Sequence, residues 1–171
     1  VGRLQSGSVA SSISAKGNVS GGAYTGGVFG AAEGATLTAL SSEGDVTGGS
    51  YTGGLIGQST SSVTGGSVAA GKVHGKRYVG GAFGSSTGAI SDITNLADVS
   101  VDNGDGCNCY AGGIAGSAGG GDATHLINKG NVSSISKNCY DGNLTKEVGG
   151  IFGTGGGKIS QAHNYGNVEG S

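Results

Sequence analysis

The segment YTGGVFG, residues 24–30, returns along the chain in nearly the same letters. It reads YTGGLIG at 51–57, YVGGAFG at 78–84, YAGGIAG at 110–116 and EVGGIFG at 147–153. We call this recurring segment the first anchor. A second anchor, a short motif of the Gly-Asn-Val type, also recurs, and its valines are Val19, Val46, Val73, Val99, Val132 and Val168. The first three of these valines stand 27 residues apart. A fixed period of that size is typical of solenoids, propellers and other repeat architectures.

The period and its residue types favour a solenoid over the other repeat folds. A propeller blade needs four strands and about 40 residues, whereas 27 residues suit one coil of three short strands. Each repeat consists of Val, Ile, Thr, Phe and Tyr separated by Gly, without helical periodicity. We therefore predict an all-β fold, a β-solenoid (parallel β-helix) of about six coils in a single domain. The repeats lie at approximately 1–23, 24–50, 51–77, 78–109, 110–146 and 147–171.

Stacked coils bring equivalent residues into rows, at the strand spacing of about 4.8 Å. We predict two inward rows, one starting at Phe29 and one at Val19. The row starting at Val28 should face outward unless a corner intervenes, because neighbouring strand residues point to opposite faces. The paired glycines are predicted to make corners through positive φ or to let backbones approach closely. Three amides, each four residues before an anchor valine, predict either a buried ladder or a solvated turn: Asn95, Asn128 and Asn164.

Composition narrows the class of protein and of partner. The chain has 41 glycines among 171 residues but no proline, so it lacks the composition of collagen. Charged residues make up only 12% and the net charge is −2, which disfavours nucleic acid or an anionic membrane as the main partner. No apolar run approaches the ~20 residues needed to cross a bilayer, so we expect no membrane insertion. The absence of an initial Met and of a signal peptide suggests an excerpt or a processed form.

The two anchors together resemble the GLUG-motif repeat, whose units pair a VGGLVG-like stretch with a GNV stretch. The closest unit here joins GGIFG at 149–153 to NYGNV at 164–168. The resemblance covers almost the whole chain and is weakest over 1–23. It implies a segment of a secreted or wall-attached bacterial protein, since such repeats occur in adhesin-like chains and in non-catalytic parts of IgA-cleaving metallopeptidases. It implies no catalytic residue.

Two insertions interrupt the period at the same point of the repeat, just after the anchor strand. They are residues 100–109 and 133–146, and all three cysteines fall within them. In a stack the two loops leave from one edge side by side, so we predict a disulfide between Cys107 and Cys139, with Cys109–Cys139 as the alternative. Three free thiols remain the other possibility.

The sequence offers no enzymatic or cofactor site. It contains no His-Glu-x-x-His, no convincing Gly-x-Ser-x-Gly triad and no phosphate loop. Its three histidines are scattered, and the Cys-x-Cys pair lacks a fourth metal ligand. We therefore predict a protein that is not an enzyme, with no cofactor and no metal.

A tyrosine recurs in the first position of four repeats, and the four should stack: Tyr24, Tyr51, Tyr78 and Tyr110. An exposed row of this kind could form a platform for sugar rings, or it could simply stabilise the stack through aromatic pairs. The threonine positions do not persist through all coils, which disfavours ice binding; they are Thr25, Thr52, Thr36, Thr38 and Thr47.

We predict an extracellular or bacterial cell-surface segment that acts as a rigid stalk or display scaffold, its two loops contacting a host or matrix protein or a glycan. A second hypothesis is a filament subunit that stacks end to end on itself, because open coil ends invite strand pairing. A third is a glycan-binding module that uses the tyrosine row.

Overall fold

The computed structural model describes residues 2–69, 71–104, 108–135 and 145–170. Over these ranges the chain forms 23 short β-strands and no helix. The strands pair in parallel and make four sheets, which run side by side along one axis. The predicted all-β solenoid of about six coils is therefore confirmed.

The strands are numbered along the chain and grouped here by sheet. Sheet 1 contains β1 (Arg3–Leu4), β5 (Phe29–Ala32), β9 (Ile56–Ser59), β13 (Phe83–Ser86), β17 (Ala115–Ala118) and β21 (Phe152–Gly155). Sheet 2 contains β2 (Val9–Lys16), β6 (Thr36–Glu43), β10 (Ser62–Val68), β14 (Ile90–Asn95), β18 (Ala123–Asn128) and β22 (Ile159–Asn164). Sheet 3 contains β3 (Val19–Ser20), β7 (Val46–Thr47), β11 (Lys72–Gly75), β15 (Asp98–Val101), β19 (Val132–Ser134) and β23 (Val168–Gly170). Sheet 4 contains β4 (Tyr24–Gly26), β8 (Tyr51–Gly53), β12 (Tyr78–Gly80), β16 (Cys109–Gly112) and β20 (Lys146–Gly149).

One coil passes through sheets 1, 2, 3 and 4 in turn and then begins again one level further along the axis. Coils 1 to 5 have four strands each, and coil 6 has the three strands β21, β22 and β23. The prediction of three strands per coil is wrong by one. The reason is that the YTGGVFG segment is not one strand: β4 ends at Gly26, the chain bends, and β5 starts at Phe29.

The paired glycines make this bend possible by lacking a side chain. A Cβ on Gly26 would run into the carbonyl oxygens of Phe29 and Leu55, and a Cβ on Gly27 into the side chain of Ser42 and the carbonyl of Gly54. None of the glycines in these pairs has a positive φ. Close backbone approach, and not left-handed conformation, is thus what the sequence requires here.

The bend also lets two adjacent rows face the core. Phe29, Ile56, Phe83 and Ala115 are buried as predicted, and the next coil extends that row to Phe152. The expectation that the Val28 row faces outward does not hold, because Val28, Leu55, Ala82 and Ile114 are buried as well. The intervening corner turns both rows inward. The anchor row is buried at Val46, Val73, Val99 and Val132, so that it closes the core from sheet 3.

A second corner recurs in sheet 2 at residues that are mostly not glycine. In all six coils one position of the strand adopts a left-handed conformation, with φ between 51° and 75°: Ser12, Ala39, Gly65, Asp92, His125 and Gln161. The flanking residues remain paired, so the strand bends without losing register. Leu37 and Leu40 therefore both point inward although they are three residues apart. The corner is not evident in the sequence, because no residue type is shared by its six positions.

The three amides form a hydrogen-bonded ladder rather than a solvated turn, and its last member, Asn164 in coil 6, is exposed. Asn95 Nδ2 donates to Asn128 Oδ1 at 2.8 Å, and Asn128 Nδ2 donates to Asn164 Oδ1 at 2.7 Å. Each Nδ2 also donates to a backbone carbonyl two residues ahead in its own coil. Asn95 and Asn128 are fully buried, and the ladder satisfies their polar atoms where sheet 2 turns into sheet 3.

Replacing Gly53 with Ala should destabilise the fold by about 1–3 kcal/mol, because the new Cβ meets the carbonyl oxygens of Ile56 and Ala82. Gly22→Ala is the matched control, since a Cβ there meets nothing within 4 Å. Urea unfolding of both variants measures the difference. Equal unfolding midpoints would contradict the steric account of the corner.

Asn128→Ala should lower the free energy of unfolding by about 1–3 kcal/mol, because it removes two buried donors and the acceptor of Asn95 Nδ2. Asn18→Ala is the control: it also loses a hydrogen bond to backbone, but at an exposed position. Chemical denaturation compares the two, and a cost for Asn128→Ala no greater than that of the control would argue against a structural ladder.

Candidate functional site

The four predicted tyrosines stack on one another along sheet 4. Successive ring centroids lie 5.3, 5.0 and 4.9 Å apart, and the ring planes differ by 11° or less. The backbone positions pair in register from Tyr24 to Tyr110, and Glu147 continues the row. The Arg77 guanidinium lies 5.3 Å from the Tyr78 ring centroid. The row is therefore continuous through four coils, as predicted.

Stacking decides which parts of these rings a ligand can reach. The rings of Tyr51 and Tyr78 each have a neighbouring ring on both faces. A sugar that packs on an aromatic side chain needs a ring face, and the row presents mainly ring edges and hydroxyls to solvent. The Tyr110 hydroxyl already lies 2.7 Å from Thr145 Oγ1. The geometry thus favours cross-strand stabilisation over a sugar platform.

The two inserted loops leave the solenoid side by side. One follows β15, which ends at Val101, and the other follows β19, which ends at Ser134. Val101 and Ser134 are direct partners in sheet 3. The predicted common edge is thus present, and it lies between sheets 3 and 4.

Only one of the three cysteines lies within the described residues. Cys107 and Cys139 fall outside them, so the proposed Cys107–Cys139 disulfide stays a prediction. Cys109 was expected in a loop, but it is the buried first residue of β16 and pairs with Lys146. Its Sγ lies 3.7 Å from the carbonyl oxygen of Lys76. Strand β16 starts at Cys109, one residue before the tyrosine position, and Cys109 is therefore part of the strand.

A polar depression on the outer face of sheet 3 was not predicted from the sequence. It has a volume of about 350 Å³ and extends over coils 3 to 6. Its lining comprises Lys72, Asp98, Val99, Ser100, Asn131, Val132, Ser133, Asn167 and Glu169. The side chains of Val99 and Val132 point into the core, so the floor is strand backbone and the two walls are rows of outward polar side chains. We call this depression the sheet 3 trough.

One wall of the trough is held in place by hydrogen bonds between coils. Asp98 Oδ1 accepts from the backbone N–H of Asn131 at 2.8 Å, and Asn131 Oδ1 accepts from that of Asn167 at 3.0 Å. The same contact joins Asn18 to Asp45 and Asp45 to Lys72 in the earlier coils. This explains the Asn or Asp of the Gly-Asn-Val anchor: its side-chain oxygen binds the equivalent backbone N–H of the next coil.

In the part of the chain that the structure describes, no group of three or more His, Cys, Asp or Glu is placed to hold a metal ion. The histidines lie apart. His74 Nδ1 is 2.9 Å from Ser100 Oγ, His125 Nδ1 is 3.7 Å from an Asp92 carboxylate oxygen, and the His163 ring stacks near Tyr165. The described ranges also hold no helix of the length and apolarity that a membrane span requires.

Comparison with known proteins returns no relative of this chain: no family model, curated protein or solved structure matches it. The resemblance to GLUG repeats therefore remains a prediction based on the two anchors alone.

Tyr51→Ser should destabilise the protein by roughly 1–3 kcal/mol, because the central ring loses two stacking contacts worth about 0.5–1.5 kcal/mol each. Tyr165→Ser is the matched control, since that ring is 68% exposed and lies outside the row. Thermal and chemical unfolding of the two variants test this. A Tyr51 variant as stable as the control would mean that the row has no structural role.

Proposed function

We propose that this chain is a non-catalytic structural segment of a secreted bacterial surface protein, a rigid scaffold that displays contact loops. The observation that carries the proposal is the unbroken register: Val19, Val46, Val73, Val99, Val132 and Val168 pair in sequence through all six coils. A stack of this kind sets a length of about 4.8 Å per coil and resists bending, because the first five coils bond to one another through four sheets and coil 6 bonds to coil 5 through three.

The position of the loops supports a display role. Both insertions leave from adjacent strands at one edge, and neither disturbs the pairing of sheet 4 beyond it. Loops on a rigid scaffold are common contact surfaces. The proposed partners are a host or matrix protein or a glycan. Kinship with GLUG-repeat surface proteins, and with it an extracellular location, belongs to the same proposal and rests on the sequence anchors.

Deleting residues 51–77 should leave a folded protein that is one coil shorter, because Ser50 then joins Tyr78 at the position that Tyr51 occupied. We expect cooperative unfolding, an unchanged β-type circular dichroism spectrum, and a maximum dimension in small-angle X-ray scattering reduced by about 5 Å. A deletion out of phase, residues 51–70, is the control and should unfold the chain. Unfolding of the in-phase variant would contradict the modular scaffold.

The display role has its own test. A variant in which residues 101–109 and 134–146 are each replaced by the short connection of coil 2, residues 48–50, should stay folded, because this graft keeps the register of sheets 3 and 4. We expect the wild-type chain to bind on arrays of immobilised matrix proteins and glycans and the variant to lose that binding. Binding that survives loop replacement would assign the contact surface to the coils instead.

A second candidate, end-to-end assembly of copies, is favoured by the apolar end coils. Ile159 and Val168 of coil 6 are 50% and 43% exposed. A second copy stacked in the same register would place its Ala10 on Ile159 and its Val19 on Val168, as the internal pairings place equivalent residues.

Light scattering and electron microscopy over rising concentration test this assembly. The wild-type chain should grow into filaments, Val168→Asp should remain monomeric because it buries a charge at the contact, and Thr38→Asp on the outer face of sheet 2 should behave as wild type. A wild-type chain that stays monomeric throughout would exclude the second candidate.

The third hypothesis, a glycan module that uses Tyr24, Tyr51, Tyr78 and Tyr110, has less support. The stacked rings cover one another's faces, and these faces are what a sugar would need.

A further inference from the structure

The shape of the sheet 3 trough selects for a linear ligand. It runs along the solenoid axis over four coils, which corresponds to three steps of about 4.8 Å, or about 14 Å. Its floor is the backbone of parallel strands, so outward side chains recur at equivalent positions from one coil to the next. A compact ligand would contact one or two coils only, whereas an extended polymer lying along the axis meets equivalent side chains in each.

The chemistry of the walls suits a ligand rich in hydroxyl groups. Coil 4 contributes Asp98 and Ser100, coil 5 contributes Asn131 and Ser133, and coil 6 contributes Asn167 and Glu169. Each of these three coils thus offers a carboxylate or carboxamide on one side of the trough and a hydroxyl or carboxylate on the other, while coil 3 contributes Lys72. These groups accept hydrogen bonds from hydroxyls and donate hydrogen bonds to them. The residues that line the trough include no aromatic side chain, which would favour an apolar ligand surface.

The walls are also positioned before a ligand arrives. The coil-to-coil bonds of Asp98 Oδ1 and Asn131 Oδ1 fix both side chains on the backbone. This leaves the second carboxylate oxygen of Asp98 and the amide nitrogen of Asn131 for an outside partner. Groups that are already ordered lose little conformational entropy on binding, which favours even a shallow site.

Two other classes of linear polymer fit the trough poorly. An extended peptide usually binds through free backbone groups at a sheet edge, but β15 and β19 are paired on both sides. A nucleic acid needs an excess of positive charge, and the trough sets one cation, Lys72, against the carboxylates of Asp98 and Glu169.

We propose that the sheet 3 trough is a binding site for an extended, largely uncharged polysaccharide, which lies along the solenoid axis with its hydroxyls on the Asp98–Asn131 wall. A chain of β-1,4-linked sugars is straight and presents hydroxyls on both edges, as the two walls require. This site is separate from the tyrosine row, and it does not depend on the scaffold or assembly roles proposed above.

The test is a titration of the ¹⁵N-labelled 171-residue chain with cellohexaose and chitohexaose, up to about 10 mM, followed by amide chemical shifts. Maltohexaose, whose α-1,4 chain curves, is the geometric control. We expect saturable shift changes at Asp98, Ser100, Asn131 and Ser133 with an extended hexasaccharide, and weaker or no changes with maltohexaose.

Variants then separate a site from a surface effect. Ser133→Phe fills the trough and should weaken binding at least about tenfold, while Ser91→Phe on the outer face of sheet 2 should leave it unchanged. Asp98→Asn keeps the bond to the Asn131 N–H, as Asn131 itself does towards Asn167. It converts one ligand acceptor into a donor, and we expect about tenfold weaker binding with unchanged unfolding.

Three results would overturn the proposal. They are the absence of saturable shifts with either extended hexasaccharide, shifts that map to the tyrosine row instead of the trough, and Ser133→Phe binding that equals Ser91→Phe binding. The deletion of residues 51–77 tests the scaffold independently: a folded, shortened chain supports the scaffold role whether or not the full-length chain binds a hexasaccharide.

Discussion

The structure depends on one constraint: every coil must place each residue directly over its equivalent in the coil before, so that parallel strands can share hydrogen bonds. The four sheets are the direct result of this repetition. Because equivalent positions coincide, each side chain packs against the equivalent side chains of the neighbouring coils. Apolar residues form continuous core rows, tyrosines stack, and amides build a ladder. Like charges would repel in the same arrangement, which is consistent with a chain in which only 12% of residues are charged.

The repetition explains how much of the fold was predictable. The anchors YTGGVFG and Gly-Asn-Val fixed the period, and the predicted rows of Phe29 and Val19 pair as expected. The number of strands per coil was harder to obtain, because the bend between Gly26 and Phe29 is caused by backbone packing between coils and not by a turn motif. The sheet 2 corner could not be predicted from residue type, since Ser12, Ala39 and Asp92 adopt the left-handed conformation although they are not glycine.

The candidate site was less predictable than the fold, for a related reason. The tyrosine row could be found because its members are identical. The sheet 3 trough could not, since its walls combine Lys72, Asp98 and Asn131 at equivalent positions. The shared feature is geometric: an outward side chain that flanks an inward valine. The Gly-Asn-Val pattern did contain a signal, because an amide beside a strand in stacked coils can bind the next backbone N–H. This signal can be recognised only once the register between neighbouring coils is known.

The edge between sheets 3 and 4 has a consequence for how the chain can vary. The anchor-to-anchor distance grows from 27 residues in the early coils to 36 between Val132 and Val168, yet the strands on either side stay paired. Loop-closure entropy rises only with the logarithm of loop length, so lengthening the connection at this edge from residues 48–50 in coil 2 to residues 135–145 in coil 5 costs about 1 kcal/mol. Insertions of very different sequence can therefore accumulate at this edge with a small thermodynamic penalty, while a single added methyl group at a neighbouring glycine corner meets backbone at once.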